Sequence, residues 1–450
     1  TPTQTDPLST FAIDVDTGSY TNMRQYVQHN QLPPTTTIRV EEYINYFRYN
    51  YNQPTAAETF AFTINAAPSP NRTTDNQYLI QVGVQGYTPS ATNRPPALLI
   101  FVVDVSGSMD APNRLPLVQQ SLRTLTRQLA PTDQIGIVAY GDTAEIILEP
   151  TAVSHRRTIE TAINQLQTNG STYAEEGLKL AYQLAADYHQ DGTLTRLILC
   201  SDGVANVGAT TADTILTHAQ NGIPLSTFGF GLGSYNDQLM EQLANQGDGV
   251  YAYIDTPAEA NRLFKDNLLP TLMTIAYDAK IQVAFNPNIV THYRLIGYEN
   301  RAIADEDFRN DTVDAGEIGA GHQVTALYEI ILANDVNPTT PASPPAEMMR
   351  VQLRFQQLDT TIRELVKSVP VTTLTTPHNQ TDWQLATAVM HYAHLLREGA
   401  TPADWAQLQT TINHLRTTHP DDQTIHELAT LITAASQTLP TNPPTHPSYP

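Results

Sequence analysis

The middle third of the chain alternates between apolar runs and amphipathic helical patterns. The apolar runs are ALLIFVVDV, QIGIVAYG, EIILE, RLILCSDG, PLSTFGFG and GVYAYI. Between the first two, apolar residues recur with the three-four spacing of one buried helix face, at Leu115, Val118, Leu122, Leu125 and Leu129. Near-continuous apolar strands that alternate with such helices are typical of a parallel sheet covered on both faces. The pattern predicts a doubly wound, mostly parallel α/β domain over residues 95–273.

The sequence on both sides of this domain has a different period. FAFTINAAPS and YLIQVGVQGY before it, and KIQVAFN, THYRLIGYEN, HQVTALYEIIL and MMRVQLRFQ after it, alternate apolar and polar residues with period two. Such segments predict an antiparallel β-sandwich built from residues 56–94 and 274–375. Because its strands occur on both sides of the α/β domain, we expect that domain to be inserted in, or flanked by, the sandwich.

The two ends of the chain carry helical patterns. Residues 1–55 form an N-terminal arm with two short helices, and residues 376–438 contain three helical patterns that predict a small C-terminal helical unit. Residues 439–450 form a Pro-rich tail that cannot build a core by itself.

Composition narrows the classes of function. A chain of 450 residues is too long for one ordinary core, and none of its apolar runs approaches the roughly 18 to 20 residues of a membrane helix. A net charge of -21 excludes nucleic acid and anionic lipid as partners and favours cations. The single cysteine, Cys200, excludes internal disulfides and thiolate metal sites. Thr, Gln, Asn and Pro in place of Lys favour an exported protein at the cell envelope or outside the cell, with a leader absent from this chain; a cytoplasmic location stays open.

Five oxygen-bearing side chains follow the predicted strands or lie in one loop between them. Asp104, Ser106 and Ser108 come directly after the first buried strand, Thr172 lies in a Gly-rich loop, and Asp202 ends another buried strand. Ligands of doubly wound sheets bind beyond the carboxyl ends of the strands, where the strand order reverses. Two carboxylates and three hydroxyls without His or Cys favour a hard cation, Mg²⁺ first, with Ca²⁺ or Mn²⁺ as alternatives.

Hydroxyl ligands would leave the charge of such a cation poorly neutralised. An open coordination position would then attract a carboxylate from outside, so the site is suited to binding the Asp or Glu of a protein partner. The segment shows no His, Lys or unpaired carboxylate placed to act as a base, which argues against hydrolysis.

These residues resemble the metal-ion-dependent adhesion site of the von Willebrand factor type A domain, because DVSGSM, the Thr172 loop and SDG occur in that order. The resemblance implies that Ser106, Ser108 and Thr172 touch the metal, while Asp104 and Asp202 hold it directly or through water. The wider chain is similar to bacterial proteins of the YfbK type. That similarity lies in FAIDVDTGSY, RVEEYINYF, YNDQLMEQLANQGDGVYAYID, YRLIGYENRA, DAGEIGAGHQVTALYEI and AVMHYAHLLREG.

The rim around the metal is expected to consist of Gly107, Tyr173, Glu175 and Gly203. Tyr173 stands where the resemblance implies a small residue, and so do Glu175 and its neighbour Glu176. Their carboxylates would either tighten the metal or repel an acidic ligand.

Three functions are compatible with these sequence features. The main one is a non-enzymatic module for protein interaction, adhesion or assembly through the metal. The second is a structural subunit of a homopolymer or filament, joined by strand donation or domain contacts without metal. The third is a phosphatase using Asp14 as nucleophile, because Asp14, Asp16 and Thr17 follow an apolar run. The preferred explanation of that segment is that Asp and Thr cap a helix beginning near Ser19.

Overall fold

The six apolar runs in the middle of the chain form one sheet in the computed structural model. The structure describes residues 1–13, 16–70, 72–89, 94–203, 212–216, 222–231, 237–266, 272–311, 313, 315–339, 346–375 and 380–438. Numbered in chain order over the whole protein, the strands of this sheet are β4 (Ala97–Asp104), β5 (Gln134–Tyr140), β6 (Ala144–Ala152), β7 (Leu194–Ser201), β8 (Leu225–Phe230) and β9 (Tyr251–Ile254). Their order is β6-β5-β4-β7-β8-β9, with β6 antiparallel to β5 and the other pairs parallel. The predicted doubly wound α/β sheet is confirmed.

Both faces of this sheet are covered by helices. The helices of the α/β domain are α3 (Leu115–Gln128), α4 (Arg156–Gln165), α5 (Ala174–Tyr188), α6 (Ala212–Ile215), α7 (Asp237–Gln246) and α8 (Pro257–Asn261). Along β4, Leu99 and Phe101 join a core with α3, whereas Ile100 and Val102 join a second core with α5. Because successive side chains of a strand point to opposite faces, a continuous apolar run fills two cores at once. Each fully buried Leu, Ile or Phe contributes roughly 1.5 to 3 kcal/mol.

The flanking strands form a two-sheet β-sandwich. One sheet has the order β1-β10-β14-β15, with β12 beside β10, and the other has the order β11-β13-β3-β2. The strands are β1 (Leu8–Ala12), β2 (Phe60–Pro68), β3 (Gln77–Gly86), β10 (Thr274–Phe285), β11 (Val290–Ile296), β12 (Glu317–Gly319), β13 (Gln323–Leu332), β14 (Glu347–Gln356) and β15 (Ile362–Pro370). The two sheets share one core, in which the rings of Phe60 and Phe355 lie 4.8 Å apart. Strands before and after the α/β domain complete the same sandwich, which confirms the predicted architecture.

The helices at the two ends of the chain pack into one unit. They are α1 (Gly18–Gln28), α2 (Val40–Tyr46), α9 (Gln380–Glu398), α10 (Pro402–Thr418) and α11 (Gln423–Thr438), and they share a core. Within it, the Tyr392 hydroxyl lies 3.2 Å from the sulfur of Met23. The N-terminal arm and the C-terminal unit were predicted as separate segments. The structure joins them because α1 and α2 contribute apolar side chains to one core with the C-terminal helices.

The start of α1 corrects the expected helix cap. Thr17 is the N-cap residue, but its side chain makes no capping hydrogen bond. The Ser19 N–H instead donates to the Glu42 carboxylate of α2, at 2.7 Å. Burial raises the pKa of Glu42 to about 7, against the opposing influence of Arg39. The Glu42 carboxylate from a neighbouring helix thus accepts a hydrogen bond at the start of α1, where the Thr17 side chain was expected to do so.

A buried ion network ties the helical unit to the α/β domain. The guanidinium of Arg24 binds the Asp255 carboxylate at 2.7 and 2.5 Å, just beyond the end of β9. It also binds Glu259 of α8 at 2.8 Å, the Tyr46 hydroxyl at 2.7 Å and Glu427 of α11 at 3.2 Å. Arg24 is 2% exposed, so these partners replace water almost completely. Such a pair is costly to break, because removal of one partner leaves buried charge uncompensated.

None of the described helices combines the length and the apolar character needed to cross a membrane.

Replacement of Arg24 tests how much the network contributes. Arg24→Met keeps a long side chain but leaves the Asp255 and Glu259 carboxylates buried without their cation, so the free energy of unfolding should fall by about 3 to 5 kcal/mol. Urea denaturation followed by circular dichroism measures it. Arg294→Met is the matched control, since Arg294 is 58% exposed in its pair with Glu329 and should cost no more than about 1 kcal/mol. Equal losses of unfolding free energy in the two variants would contradict the stabilising role assigned to the buried Arg24 network.

Candidate metal centre

The carboxyl ends of β4 and β7 meet at the centre of the sheet. The chain leaves β4 toward β5 on one side, whereas β7 lies on the other, so the strand order reverses here. Asp104 is the last residue of β4, and Asp202 directly follows β7. Their side chains are buried, with 0% and 3% exposed. Two carboxylates are therefore held away from water at the crevice where doubly wound sheets bind ligands.

Hydrogen bonds fix Asp104 between the two strand ends. The Ser106 N–H donates to its Oδ1 at 2.9 Å, and the Ser201 hydroxyl donates to its Oδ2 at 2.8 Å. The hydroxyl oxygens of Ser106 and Ser108 lie 3.0 Å apart. Burial raises the pKa of Asp104 to about 6, although the bonds from Ser106 and Ser201 favour its charged form. The carboxylate is oriented, but its charge is not fully compensated.

Backbone hydrogen bonds bring the Thr172 loop to the same place. The Gly107 N–H donates to the Gly170 carbonyl at 2.9 Å, and the Asn169 N–H donates to the Val105 carbonyl at 2.5 Å. Gly141, after β5, permits this approach, because a Cβ there would lie 2.3 Å from the Asn169 carbonyl oxygen. The loops after β4 and before α5 are therefore joined side by side.

Two of the candidate ligands carry an oxygen atom without a hydrogen-bond partner among the described residues. Thr172 Oγ1 and Asp202 Oδ1 are both buried and unpaired. A buried polar atom without a partner costs about 1 to 3 kcal/mol, and in a native structure it points to a missing water or ion. Among the described residues there is no cluster of three or more His, Cys, Asp or Glu able to hold a metal. A cation site among these residues would therefore need further donors besides such side chains, and this centre offers hydroxyl oxygens.

The four residues expected at the rim differ in accessibility. Gly107 is exposed, whereas Tyr173 and Glu175, at the start of α5, are half-buried. Gly203 is buried, and its N–H donates to the Ser201 hydroxyl oxygen at 3.1 Å. Gly203 thus supports the strand end, while the other three are at least partly accessible to solvent.

Arg114 is a charged neighbour that sequence reasoning missed. Its Nη1 lies 2.9 Å from Asp202 Oδ2 and also donates to the Ser108 carbonyl. Gly231, at φ +93°, makes room for it, since a Cβ there would lie 2.5 Å from the arginine Nε. The available signal was a lone basic residue directly before α3 in a chain poor in cations.

Ser201 and Asp142 were also missed. The hydroxyl of Ser201 bonds Asp104, as described above, and it stands beside Asp202 in the quoted SDG motif. Asp142 accepts hydrogen bonds from the Ser171 N–H at 2.8 Å and the Ser171 hydroxyl at 2.6 Å, which lower its pKa. Asp142 therefore holds the residue next to Thr172.

The N-terminal acidic segment has other partners. Asp14 lies outside the described residues. The carboxylate of Asp16 pairs with Arg301 of the sandwich at 2.8 Å, and the Thr17 hydroxyl lies 3.5 Å from Arg262. Asp16 and Thr17 thus connect the arm to neighbouring domains, whereas the expected capping of α1 by the Thr17 side chain is wrong.

A cavity of about 510 Å³ lies elsewhere, between the edge strand β9, the N-terminal segment and the sandwich. None of the five candidate ligands lines it. Its arginines are engaged: Arg48 donates to the Gly321 carbonyl, Arg262 pairs with Glu259, and Arg301 pairs with Asp16. A small cation is bound by oxygens at about 2.0 to 2.6 Å, so it needs a tight notch and not a large cavity. We therefore place the candidate chemistry at the carboxyl ends of β4 and β7.

Three family descriptions match the chain. "Von Willebrand factor" matches residues 1–80, "von Willebrand factor type A domain" matches residues 99–204, and "Uncharacterized protein YfbK, C-terminal" matches residues 270–438. The second match spans β4 to β7 and all five candidate ligands. The chain is a von Willebrand factor type A domain protein.

Sequence relatives indicate which type of von Willebrand factor type A domain protein this chain is. The chain is 40% identical over 338 residues to "Uncharacterized protein YfbK" of Escherichia coli K12, covering 73% of this chain and 58% of that protein. It is 29% identical over 199 residues to "Uncharacterized protein sll0103" of Synechocystis sp., covering 42% of this chain and 45% of that protein. The solved structure "von Willebrand factor type A from Catenulispora acidiphila" is 16% identical, with a TM-score of 0.44, covering 84% of this chain and 90% of that chain. The chain is a bacterial protein of the YfbK type, and it spans about half the length of these two curated relatives.

The raised pKa of Asp104 predicts a pH-dependent effect of its replacement. A carboxyl group with a pKa of about 6 in the folded state and 3.8 ordinarily adds stability below pH 4, and this stability is lost as the pH rises through 6. Asn does not titrate. In EDTA, the stability of Asp104→Asn relative to the unmodified protein should therefore rise by about 2 to 3 kcal/mol between pH 4 and pH 7. Urea denaturation at both pH values measures it, and a difference independent of pH would contradict the assigned environment.

Proposed function

We propose that this protein is a non-enzymatic binding module that holds a divalent cation, Mg²⁺ before Ca²⁺ or Mn²⁺, and uses it to bind an Asp or Glu carboxylate of a protein partner. The observation that carries the proposal is the pair of unpartnered buried oxygens, Thr172 Oγ1 and Asp202 Oδ1. They lie on two of the three segments that meet at the centre. A cation between these segments would satisfy both atoms.

The donor set fits a hard cation. Ser106, Ser108 and Thr172 would contribute hydroxyl oxygens, and Asp104 and Asp202 would contribute carboxylate oxygens directly or through water. When bound, the cation supplies a positive charge that an outside carboxylate can approach. The protein residues orient the cation and exclude water beneath it, since Asp104, Thr172 and Asp202 are buried.

The groups around the centre favour binding over catalysis. The described side chains that contact Asp104 and Asp202 are serine hydroxyls and the guanidinium of Arg114. A general base needs a pKa near the working pH and a place within hydrogen-bond reach of its substrate. Hydroxyls and a guanidinium do not meet that requirement, and the carboxylate of Asp104, with a pKa of about 6, is assigned to the cation, so the proposal assigns no catalytic residue.

Charge narrows the class of partner. The protein carries a net charge of -21, which favours approach of neutral or basic surfaces. Glu175, which is expected at the rim, is half-buried, and Glu176 is exposed beside it. We therefore propose a partner that presents one carboxylate within a neutral or basic surface, with the interaction taking place at the cell envelope or outside the cell.

The homopolymer hypothesis stays a prediction. Residues near the N-terminus are paired within the chain itself, since β1 is antiparallel to β10 and the N-terminal amine donates to the Tyr293 carbonyl at 2.8 Å. Strand donation from this arm would first have to break those bonds. The observations therefore favour the metal-dependent function.

Removal of one hydroxyl tests the proposed centre. Thr172→Val keeps the shape of the side chain and deletes the unpartnered oxygen, so Mg²⁺ affinity should fall at least about tenfold. Stability in EDTA should be unchanged or slightly higher, because a buried unsatisfied atom is removed. Isothermal titration calorimetry measures the affinity, and urea denaturation measures the stability.

Thr161→Val is the matched control, since Thr161 is exposed on α4 and its hydroxyl bonds the Arg157 carbonyl. It should bind Mg²⁺ like the unmodified protein. The proposal is rejected if the unmodified protein binds none of Mg²⁺, Mn²⁺ and Ca²⁺ below about 1 mM. It is also rejected if a partner captured in Mg²⁺ stays bound in EDTA and to Asp104→Ala.

A further inference from the structure

We propose that Arg114 sets the balance between cation binding and carboxylate binding at the candidate metal centre. Its positive charge weakens the affinity for the divalent cation and strengthens the affinity of the loaded centre for one carboxylate. This inference rests on the proposed function and assigns a specificity-determining residue to it.

The position of Arg114 places its charge at the centre. Its Nη1 lies 2.9 Å from Asp202 Oδ2 and donates to the Ser108 carbonyl, so one nitrogen contacts the loops that follow β4 and β7. Asp202 Oδ1, the other oxygen of the same carboxylate, is buried without a partner. Asp202 thus pairs with the arginine through one oxygen and keeps the other for a cation.

The surroundings hold the arginine in this place. Its side chain is 17% exposed, against 3% for Asp202, so its charge is partly withdrawn from solvent and only partly screened. Gly231 leaves the space beside its Nε and Cγ, where a Cβ would lie 2.5 and 2.8 Å away. Arg114 also occupies the N-cap position of α3, where a cation opposes the helix dipole. Its pairing with Asp202 offsets that unfavourable location.

The net charge of the centre differs with and without Arg114. The rim carboxylate of Glu175 is the same in every comparison and is left out of the count. Asp104 and Asp202 contribute two negative charges, and Arg114 contributes one positive charge, so these three residues without metal carry one net negative charge. A divalent cation changes this to one net positive charge, which a single carboxylate neutralises. Without Arg114 the loaded centre would be neutral, and an added carboxylate would leave it negative. Charges a few ångströms apart in a partly buried site interact strongly enough for this difference to matter.

The experiment measures the two affinities separately, with Mn²⁺ as the metal probe and propionate as a single-carboxylate probe. The signal of free Mn²⁺ in electron paramagnetic resonance gives the metal affinity. Water-proton relaxation during a propionate titration at saturating Mn²⁺ gives the carboxylate affinity. For Arg114→Gln, Mn²⁺ should bind at least about fivefold more tightly and propionate at least about fivefold more weakly.

Three further variants separate charge from structure. Arg114→Met is a second neutral variant and should behave like Arg114→Gln. Arg114→Lys keeps the charge and should stay within about twofold of the unmodified protein for both probes. Arg123→Gln, on the same helix and bonded to the exposed Asn164 side chain, changes the net charge equally and should also stay within about twofold.

The outcomes distinguish the two proposals. Opposite shifts of the two affinities in both neutral variants support the role of Arg114. If both affinities fall together, or neither changes, Arg114 only supports the local structure, and this inference is overturned while the proposed function stands. If the unmodified protein binds no Mn²⁺, the role of Arg114 and the proposed function are both rejected.

Discussion

The arrangement of the centre depends on one electrostatic constraint: two carboxylates are buried at neighbouring strand ends, and one guanidinium pairs with one of them. Burial of an ionised carboxyl group is unfavourable unless charge and hydrogen bonds compensate it. Asp104 receives hydrogen bonds from Ser106 and Ser201, and Asp202 receives Arg114, yet the pKa of Asp104 stays raised to about 6 by burial. This incomplete compensation of charge is confined to the strand ends, because the sheet that positions both residues has a continuous apolar core on each face.

Much of this arrangement follows from sequence because it is encoded locally. A continuous apolar run sets a buried strand, and the residues that follow it must lie at the carboxyl edge of the sheet, so Asp104 and Asp202 could be placed without coordinates. Arg114 could not, because its partner is 88 residues away and no period marks it. The Arg24 network could not be predicted for the same reason, because its charged partners come from two distant segments. The expected cap by Thr17 was wrong for a related reason: Glu42, on another helix, lies nearer to the first N–H groups.

The Arg24 network and the candidate metal centre lie at the same edge of the sheet. Asp255 follows β9 as Asp202 follows β7, and all strands between β4 and β9 are parallel. Three strand spacings separate β4 from β9, or roughly 14 Å. The N-terminal and C-terminal helices that pack through Arg24 are therefore neighbours of the face that a partner would approach.

The contrast between these two clusters separates structure from function. At Arg24, burial alone would raise the pKa of Glu259, but Arg262 and Arg24 hold it at about 2, so that carboxylate is well compensated by the protein's own charges. At the centre, burial prevails, the pKa of Asp104 is raised, and two oxygens lack partners. Both clusters occupy the same edge of the same sheet. The fold alone therefore does not explain why Asp104 and Asp202 are less completely compensated by the protein's own groups. A compensated cluster serves to join domains, whereas an uncompensated one leaves charge and hydrogen-bonding capacity that a group from outside the chain would satisfy.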